Sequence, residues 1–244
     1  MAGRAVLIQS SLSTFPAYAM QCAHLSERIL SGIDRVNRNF LWGTSDLGRR
    51  IHWIGWQKVT KPKEEGGLGF QTAKGWNTAL LAKLNWRLHS EQDALWTQVL
   101  KRKYCNSRRI NSPNPSKLPC SQVWKGIKKG TATFVKGARW SLGKDSNLNF
   151  WSDSWSDLGP LRSVIQGPIE PEIERLRVKD IMIGGSWDWT KITMELPTNL
   201  KMKIQATPSA MIAPTEDKLS WSPNPQGIFD LKSAYSLATD NEPC

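Results

Sequence analysis

The chain has 244 residues, 39% hydrophobic and 13 of them Trp, enough for one large domain or two small ones, and its Gly and Pro content is too low for wholesale disorder. Residues 1–140 hold 23 Lys+Arg against 7 Asp+Glu, a net of +16, whereas residues 141–244 hold 10 against 14, a net of −4. So one-sided a field points to a polyanionic partner, because neutralising phosphates releases counterions, and no stretch approaches the ~18–20 apolar residues that cross a bilayer.

The opening, Met1-Ala-Gly-Arg-Ala-Val-Leu-Ile-Gln, has an apolar run too short for a signal peptide and reads as the interior of a longer protein. Residues 26–42 are expected to form a helix, with Ser26 as N-cap and Glu27 in the first turn, where the dipole favours an acid. Ile29, Ile33, Val36 and Phe40 define an apolar stripe at helical spacing, and Arg28, Arg35 and Arg38 fall opposite. Those arginines either touch phosphates or are solvated, partly balanced by Glu27 and Asp34. Residues 43–70 are irregular, punctuated by Gly43, Gly48, Pro62, Gly66, Gly67 and Gly69. The Gly66-Gly67-Leu68-Gly69 run lacks the following Lys-Ser/Thr pair and the preceding strand of a phosphate loop, so a tight turn is expected.

Residues 75–104 read as two helices. In the first, Trp76, Leu80, Leu84 and Leu88 recur every four positions, and Trp86 lies off that stripe near Ala79 and Ala82, which implies contact on two sides. Ser90-Glu91-Gln92-Asp93 resembles a capping box opening the second, whose buried face is Leu95, Trp96, Val99 and Leu100. Lys101, Arg102 and Lys103 close it, where positive charge suits the C-terminal end. Trp76, Trp86 and Trp96 stand ten apart, and core packing is expected of them rather than base stacking.

Residues 105–123, rich in Ser, Pro and Asn, read as a linker. Residues 124–155 are spaced by Trp and Gly, and Arg139–Leu142 is expected to pair with Asn147–Trp151 as a hairpin. Lys125, Lys128, Lys129, Lys136 and Arg139 make the approach to it basic. Residues 156–217 show little pattern. Glu170, Glu172 and Glu174, beside Pro168 and Pro171, read as a solvated loop face rather than the convergent carboxylates of a metal-dependent nuclease. Residues 218–237 form an apolar end piece with Leu219, Trp221, Phe229, Leu231 and Tyr235. Cys22, Cys105, Cys120 and Cys244 have neither C-x-x-C spacing nor a His at ligand spacing, so reduced thiols are expected rather than a zinc site or disulfides. That reading implies an intracellular compartment, nuclear or cytoplasmic, and neither secretion nor a membrane.

Several pieces, taken in order, carry a resemblance. They are Ala2-Gly3-Arg4-Ala5-Val6-Leu7-Ile8-Gln9-Ser10, Pro16-Ala17-Tyr18-Ala19-Met20, Phe40-Leu41-Trp42-Gly43, His52-Trp53 with Trp56, and Lys61-Pro62-Lys63-Glu64-Glu65-Gly66-Gly67-Leu68-Gly69-Phe70. Asn77-Thr78-Ala79-Leu80-Leu81-Ala82-Lys83-Leu84-Asn85-Trp86-Arg87 follows, then Lys103-Tyr104-Cys105 and Arg139-Trp140-Ser141-Leu142-Gly143. Phe150-Trp151-Ser152-Asp153-Ser154-Trp155 and Phe229-Asp230-Leu231-Lys232-Ser233-Ala234-Tyr235 complete the set, leaving gaps at 106–123 and 160–217. Together they resemble plant LINE-type (non-LTR) retrotransposon reverse transcriptases, often labelled ribonuclease H proteins.

The resemblance implies the segment after the polymerase palm, thumb and linker, ending at Cys244 before the zinc-binding and RNase H regions. The implied fold is mainly α in the first half, a thumb-like helical bundle, and small α+β with short strands in the second. The implied domains are a basic helical domain over 1–104, a linker over 105–123 and a Trp/Gly-spaced region over 124–244. None of Tyr18, Tyr104 and Tyr235 precedes an Asp pair, so the family's Tyr-x-Asp-Asp motif is absent and no enzyme activity is expected of this chain alone. No cofactor is expected in it, whereas the parent polymerase would use Mg. The implied partners are the nucleic-acid backbone, without sequence preference, and the missing palm and zinc-binding domains. A thumb grips phosphates with cations on a helical scaffold, which nominates Arg35, Arg38, Arg49, Arg50, Lys58, Lys61, Lys63, Lys83, Arg87, Lys101, Arg102 and Lys103. The alternatives are a pseudogene-like remnant that binds nothing, and a nuclease resting on Asp153 or Asp157.

Overall fold

The computed structural model describes residues 1–44, 48, 50–104, 120–143, 145–165, 167–183, 186–206 and 216–240. In chain order the elements are α1 (Ala2–Leu7), α2 (Ala17–Met20), α3 (Glu27–Trp42), α4 (Trp56–Val59), α5 (Ala73–Ser90), α6 (Leu95–Tyr104), α7 (Gln122–Gly137), β1 (Ala138–Ser141), α8 (Pro171–Glu174), α9 (Val178–Ile181), β2 (Met182–Ile183), β3 (Ser186–Trp187), α10 (Thr198–Ala206), β4 (Lys218–Trp221) and α11 (Leu231–Thr239). The fold is therefore mainly helical in its first half, with a small α+β second half of short antiparallel strands. Among the described residues no helix is long and apolar enough to cross a membrane. The chain forms two compact units, Met1–Phe134 with Asp230–Cys244, and Val135–Phe229.

In the first unit α5 is the central post. Ala73, Gly75, Asn77, Ala79, Leu80, Leu81, Ala82, Leu84, Asn85 and Leu88 are buried, so the helix is covered on most of its circumference rather than along one stripe. Small residues make this possible. Gly75 leaves room for Tyr235 and Thr239 of α11, and a Cβ at Gly130 of α7 would collide with the Leu81 backbone. Gly126 and Gly130, four apart, present the same bare face to α5, so two glycines that look like punctuation instead lie inside a 16-residue helix.

Two buried amides fasten the neighbours of α5. Asn77 Nδ2 donates to the Met20 and Ala23 carbonyls, both at 3.0 Å, and its Oδ1 accepts from Leu25 N at 3.1 Å. Asn85 Nδ2 donates to the Ile127 carbonyl of α7 at 2.7 Å. The start of α5 is tied three ways: Thr72 Oγ1 accepts from Gly75 N, Asp34 of α3 accepts from Ala73 N at 3.0 Å, and the Tyr235 hydroxyl accepts from Thr72 N at 2.9 Å.

That anchorage rotates α3 away from the orientation its apolar stripe predicts. Leu30, Asn37 and Leu41 are its buried residues, while Ile29, Val36 and Phe40 face outward. The helix ends in a Schellman arrangement, with Gly43 left-handed at φ 73° and Thr44 N donating to Asn39 O at 2.9 Å. A second cluster of Ile8, Leu41, Val59 and Phe70, with Trp42 and Trp56 against it, gathers four separate sequence motifs into one core. The glycine run is the expected tight turn: Leu68 N donates to Val59 O and Gly69 N to Lys61 O, both at 2.9 Å, and a Cβ at Gly67 would strike the Lys61 carbonyl. Of the spaced tryptophans, Trp76 and Trp96 pack against buried clusters. No capping box opens α6. Ser90 remains the last residue of α5, and Glu91 is drawn into an ion pair with Arg87 instead.

The second unit is held by indoles. Phe150, Trp151, Trp155, Leu161, Val178, Ile181 and Ile204 share one buried cluster. Trp151 Nε1 donates to Ile173 O at 2.7 Å and Trp155 Nε1 to Phe150 O at 2.9 Å, so both rings are buried without an orphaned donor. The expected hairpin is replaced by longer-range pairing. β1 runs antiparallel to β4, from Ala138 opposite Trp221 to Ser141 opposite Lys218, and Asn149 bridges to Arg177. The cause is local: Asn149 Oδ1 accepts from Trp151 N and Ser152 N, turning the chain where a strand would have to continue.

Candidate nucleic-acid interface

Arg49 lies outside the described residues. The other eleven nominated cations all fall in the first unit. Arg35, Arg50, Lys58, Lys63, Lys83, Arg87, Arg102 and Lys103 are exposed, and Arg38, Lys61 and Lys101 are half-buried. Lys61 and Arg87 are engaged by acids among the described residues. Lys61 stands 3.7 Å from Glu65, and Arg87 makes a two-pronged bond to Glu91 at 2.8 and 3.0 Å. The Arg87 guanidinium also lies 5.4 Å over the Trp96 ring. The Arg87 hydrogen bond holds the Glu91 carboxyl below its ordinary range. Arg38 spans the boundary between surface and core, with its Nε buried and without a partner.

The helices distribute these charges over more than one face. Leu81, Asn85 and His89 mark the side of α5 that meets α7, through Gly126, Ile127, Gly130 and Phe134. At 100° per residue Lys83 and Arg87 point the opposite way. On α7, Lys125, Lys128 and Lys129 are exposed and turned away from α5. The α5–α7 pair thus carries cations on both outer sides. Lys125, Lys128 and Lys129 stand outside the nominated set, and their i, i+3, i+4 spacing would have shown their shared face once the helix was recognised.

α6 joins this pair through Trp96 and Leu100, which pack on Leu84, Leu88 and Ile127. Tyr104 stacks on Trp124 with centroids 4.6 Å apart, and Lys103 lies over the Tyr104 ring at 5.3 Å. The His89 ring stacks flat on Phe134 at 5.2 Å. Burial, with the positive charge of Lys101, lowers the His89 pKa to about 4.

In the second unit Glu170, Glu172 and Glu174 are exposed. Asp153 is pushed above the usual carboxylate range by burial, with a further contribution from the Asp217 charge. Its Oδ2 accepts from Asn149 N at 2.7 Å, and Asp217 accepts from Gly143 N at 2.9 Å, so both carboxylates brace turns. Among the described residues no group of three or more His, Cys, Asp or Glu could hold a metal ion. Cys22 and Cys120 are free thiols, and Cys105 and Cys244 lie outside the described residues.

No family model matches the chain, and no solved structure does. An Arabidopsis thaliana protein named "Putative ribonuclease H protein At1g65750" is 34% identical over 247 residues, covering 99% of this chain and 39% of that protein. An Arabidopsis thaliana protein named "Uncharacterized mitochondrial protein AtMg00310" is 31% identical over 147 residues, covering 57% of this chain and 91% of that protein. This chain belongs to the family of that mitochondrial protein. It spans about two fifths of the length of the ribonuclease H-named relative. The resemblance read from the sequence therefore holds at the level of plant proteins labelled for ribonuclease H. The expectation that this chain is not an enzyme is overturned by the same finding, since a relative aligned over 99% of it is named for one.

Proposed function

We propose that this chain is the thumb-and-linker segment of a LINE-type retrotransposon reverse transcriptase and grips the nucleic-acid backbone. The observation that carries the reading is charge placed on a helical scaffold: a net of +16 in residues 1–140, against −4 in the remainder. Arg35, Lys83, Arg102 and Lys103 extend from helices whose opposite faces are packed, so the cations are presented by a firm support. Such a surface reads phosphates rather than base edges, so duplex or RNA–DNA hybrid should bind with little sequence preference. Residues 1–104 supply the grip in this reading, 105–123 the linker, and the palm and zinc-binding domains of the parent protein are the further partners.

The test is the salt dependence of binding to a labelled RNA–DNA hybrid. With about five phosphates engaged, log affinity falls against log salt with a slope near −4 to −5. A flat salt response would remove this reading, and no binding at low salt would favour the remnant that binds nothing. The name of the longer relative supports a second reading, hydrolysis of the RNA strand of a hybrid. Incubating the chain with end-labelled hybrid and Mg²⁺ tests it directly, because only that reading predicts cleavage confined to RNA.

A further inference from the structure

The outward stripe of α3 belongs to a groove whose apolar floor the phosphate-gripping reading does not use, although Arg35, one of the gripping cations, lines it. Ile29 and Val36 are 51% and 59% exposed, and Phe15, on the preceding segment, is 76% exposed. With Leu12 and Ile33 they line a groove of about 650 Å³. Phe40, 36% exposed, continues the stripe, so it runs eleven residues from Ile29, roughly 16 Å of helix. An apolar track of that length with a hydrophobic wall beside it is what one face of a second helix needs.

The charges around the groove are one-sided. Arg35 lines the groove and Arg28, seven residues earlier on the same side of α3, is exposed with it, so these two arginines border the stripe rather than standing opposite it as the sequence pattern implied. The two acids of the same helix are turned to other work, Glu27 beside Lys74 at 3.7 Å and Asp34 toward the Ala73 amide. This pattern decides among occupants. A second copy of the chain would set Arg28 and Arg35 against their own counterparts across a two-fold axis, like charge on like. A nucleic acid would find a floor of aliphatic side chains, with Phe15 as the one ring available for stacking among the residues that line the groove. We propose that this groove docks an amphipathic helix of a protein partner that carries acidic residues beside its apolar stripe.

A synthetic helical peptide of about 16 residues, with Leu at i, i+4, i+7 and i+11 and Glu on both flanks, is the probe. Its affinity is read by fluorescence anisotropy against the same peptide with Lys replacing Glu. The Glu peptide should bind the full chain at least about tenfold more tightly than the Lys peptide. Val36→Glu should weaken it about tenfold, and Arg28→Glu should reverse the preference toward the Lys peptide. Both positions are exposed, so unchanged far-ultraviolet circular dichroism is expected of each variant. Equal binding of the two peptides, or full affinity in Val36→Glu, would overturn the proposal. So would a dimer in sedimentation that Val36→Glu dissolves, which would make the groove a self-association face. Loss of hybrid binding in Val36→Glu would overturn it too, in favour of nucleic acid. Retained hybrid binding with lost peptide binding leaves the phosphate-gripping reading intact and supports the groove separately.

Discussion

The two units solve the same packing problem by different means. The first brings helices close by removing side chains, with Gly75, Gly126 and Gly130 at the crossings, and fixes their register with the buried amides Asn77 and Asn85. The second has short elements and irregular connections, and fills the space between them with large rings whose N–H groups reach backbone carbonyls. Close helix packing leaves outer helix faces free, and those faces carry the basic surface. Packing on indoles uses most of the chain to surround the rings, and there the exposed charge is mixed. The difference suggests that cation density follows the architecture able to present it.

The largest expected effect tests whether the units are independent in stability. Trp151 is fully buried and bonded to Ile173. Trp151→Ala should cost about 3–5 kcal/mol, from the cavity and the unsatisfied carbonyl together. Hydrogen exchange should then show protection lost in 145–204 and retained in 73–90. Loss in both segments would mean that the two packing schemes stand or fall together.

The next effect separates the units by pH. The His89 pKa is about 4 in the folded state against an ordinary value of 6.5. Between those values the unfolded chain binds a proton that the folded chain does not, so stability falls as pH drops from about 6.5 toward 4. The loss is at most about 3 kcal/mol, complete near pH 4, and absent at neutral pH. Asp153 in the second unit acts in the opposite sense: its pKa is raised in the folded state, so acidification toward the ordinary carboxylate value of 3.8 is stabilising. Urea melts monitored by exchange at the two segments should therefore move apart with acid. His89→Phe, which keeps a ring against Phe134, should flatten the slope of the first unit alone.

How much of this was legible in sequence differs between the units for a physical reason. α3 and α5 announce themselves through periodicity, and the turn at Gly66 through its glycines. The direction in which α3 faces did not follow from its stripe, because that depends on Asp34 reaching Ala73 N, a bond between residues far apart in the chain. α7 was hidden by Gly126 and Gly130, which break a helix in isolation and permit a crossing in context. The pairing of β1 with β4 could not be read locally, since the two strands are about eighty residues apart and each is four residues long. Of the nominated cations, membership in one region was readable from charge counts alone. Their separation onto both outer sides of the α5–α7 pair required knowing which side of α5 was occupied.

The smallest expected effect concerns that separation. Arg87 is the nominated cation held most firmly, by two hydrogen bonds to Glu91 and by the Trp96 ring. An exposed i, i+4 pair contributes only about 0.5 kcal/mol, so Glu91→Gln should lower the melting temperature little. It should, however, leave the Arg87 guanidinium charge uncompensated beside Lys83 on the outer side of α5. If that side grips phosphates, Glu91→Gln should tighten hybrid binding modestly and steepen the salt slope by up to about one unit, since one more cation becomes available. If the Lys125, Lys128 and Lys129 side of α7 carries the binding instead, the slope should stay unchanged in Glu91→Gln and should fall in Lys125→Gln/Lys129→Gln. The two variants therefore assign the grip to one side or the other without disturbing the core that both sides share.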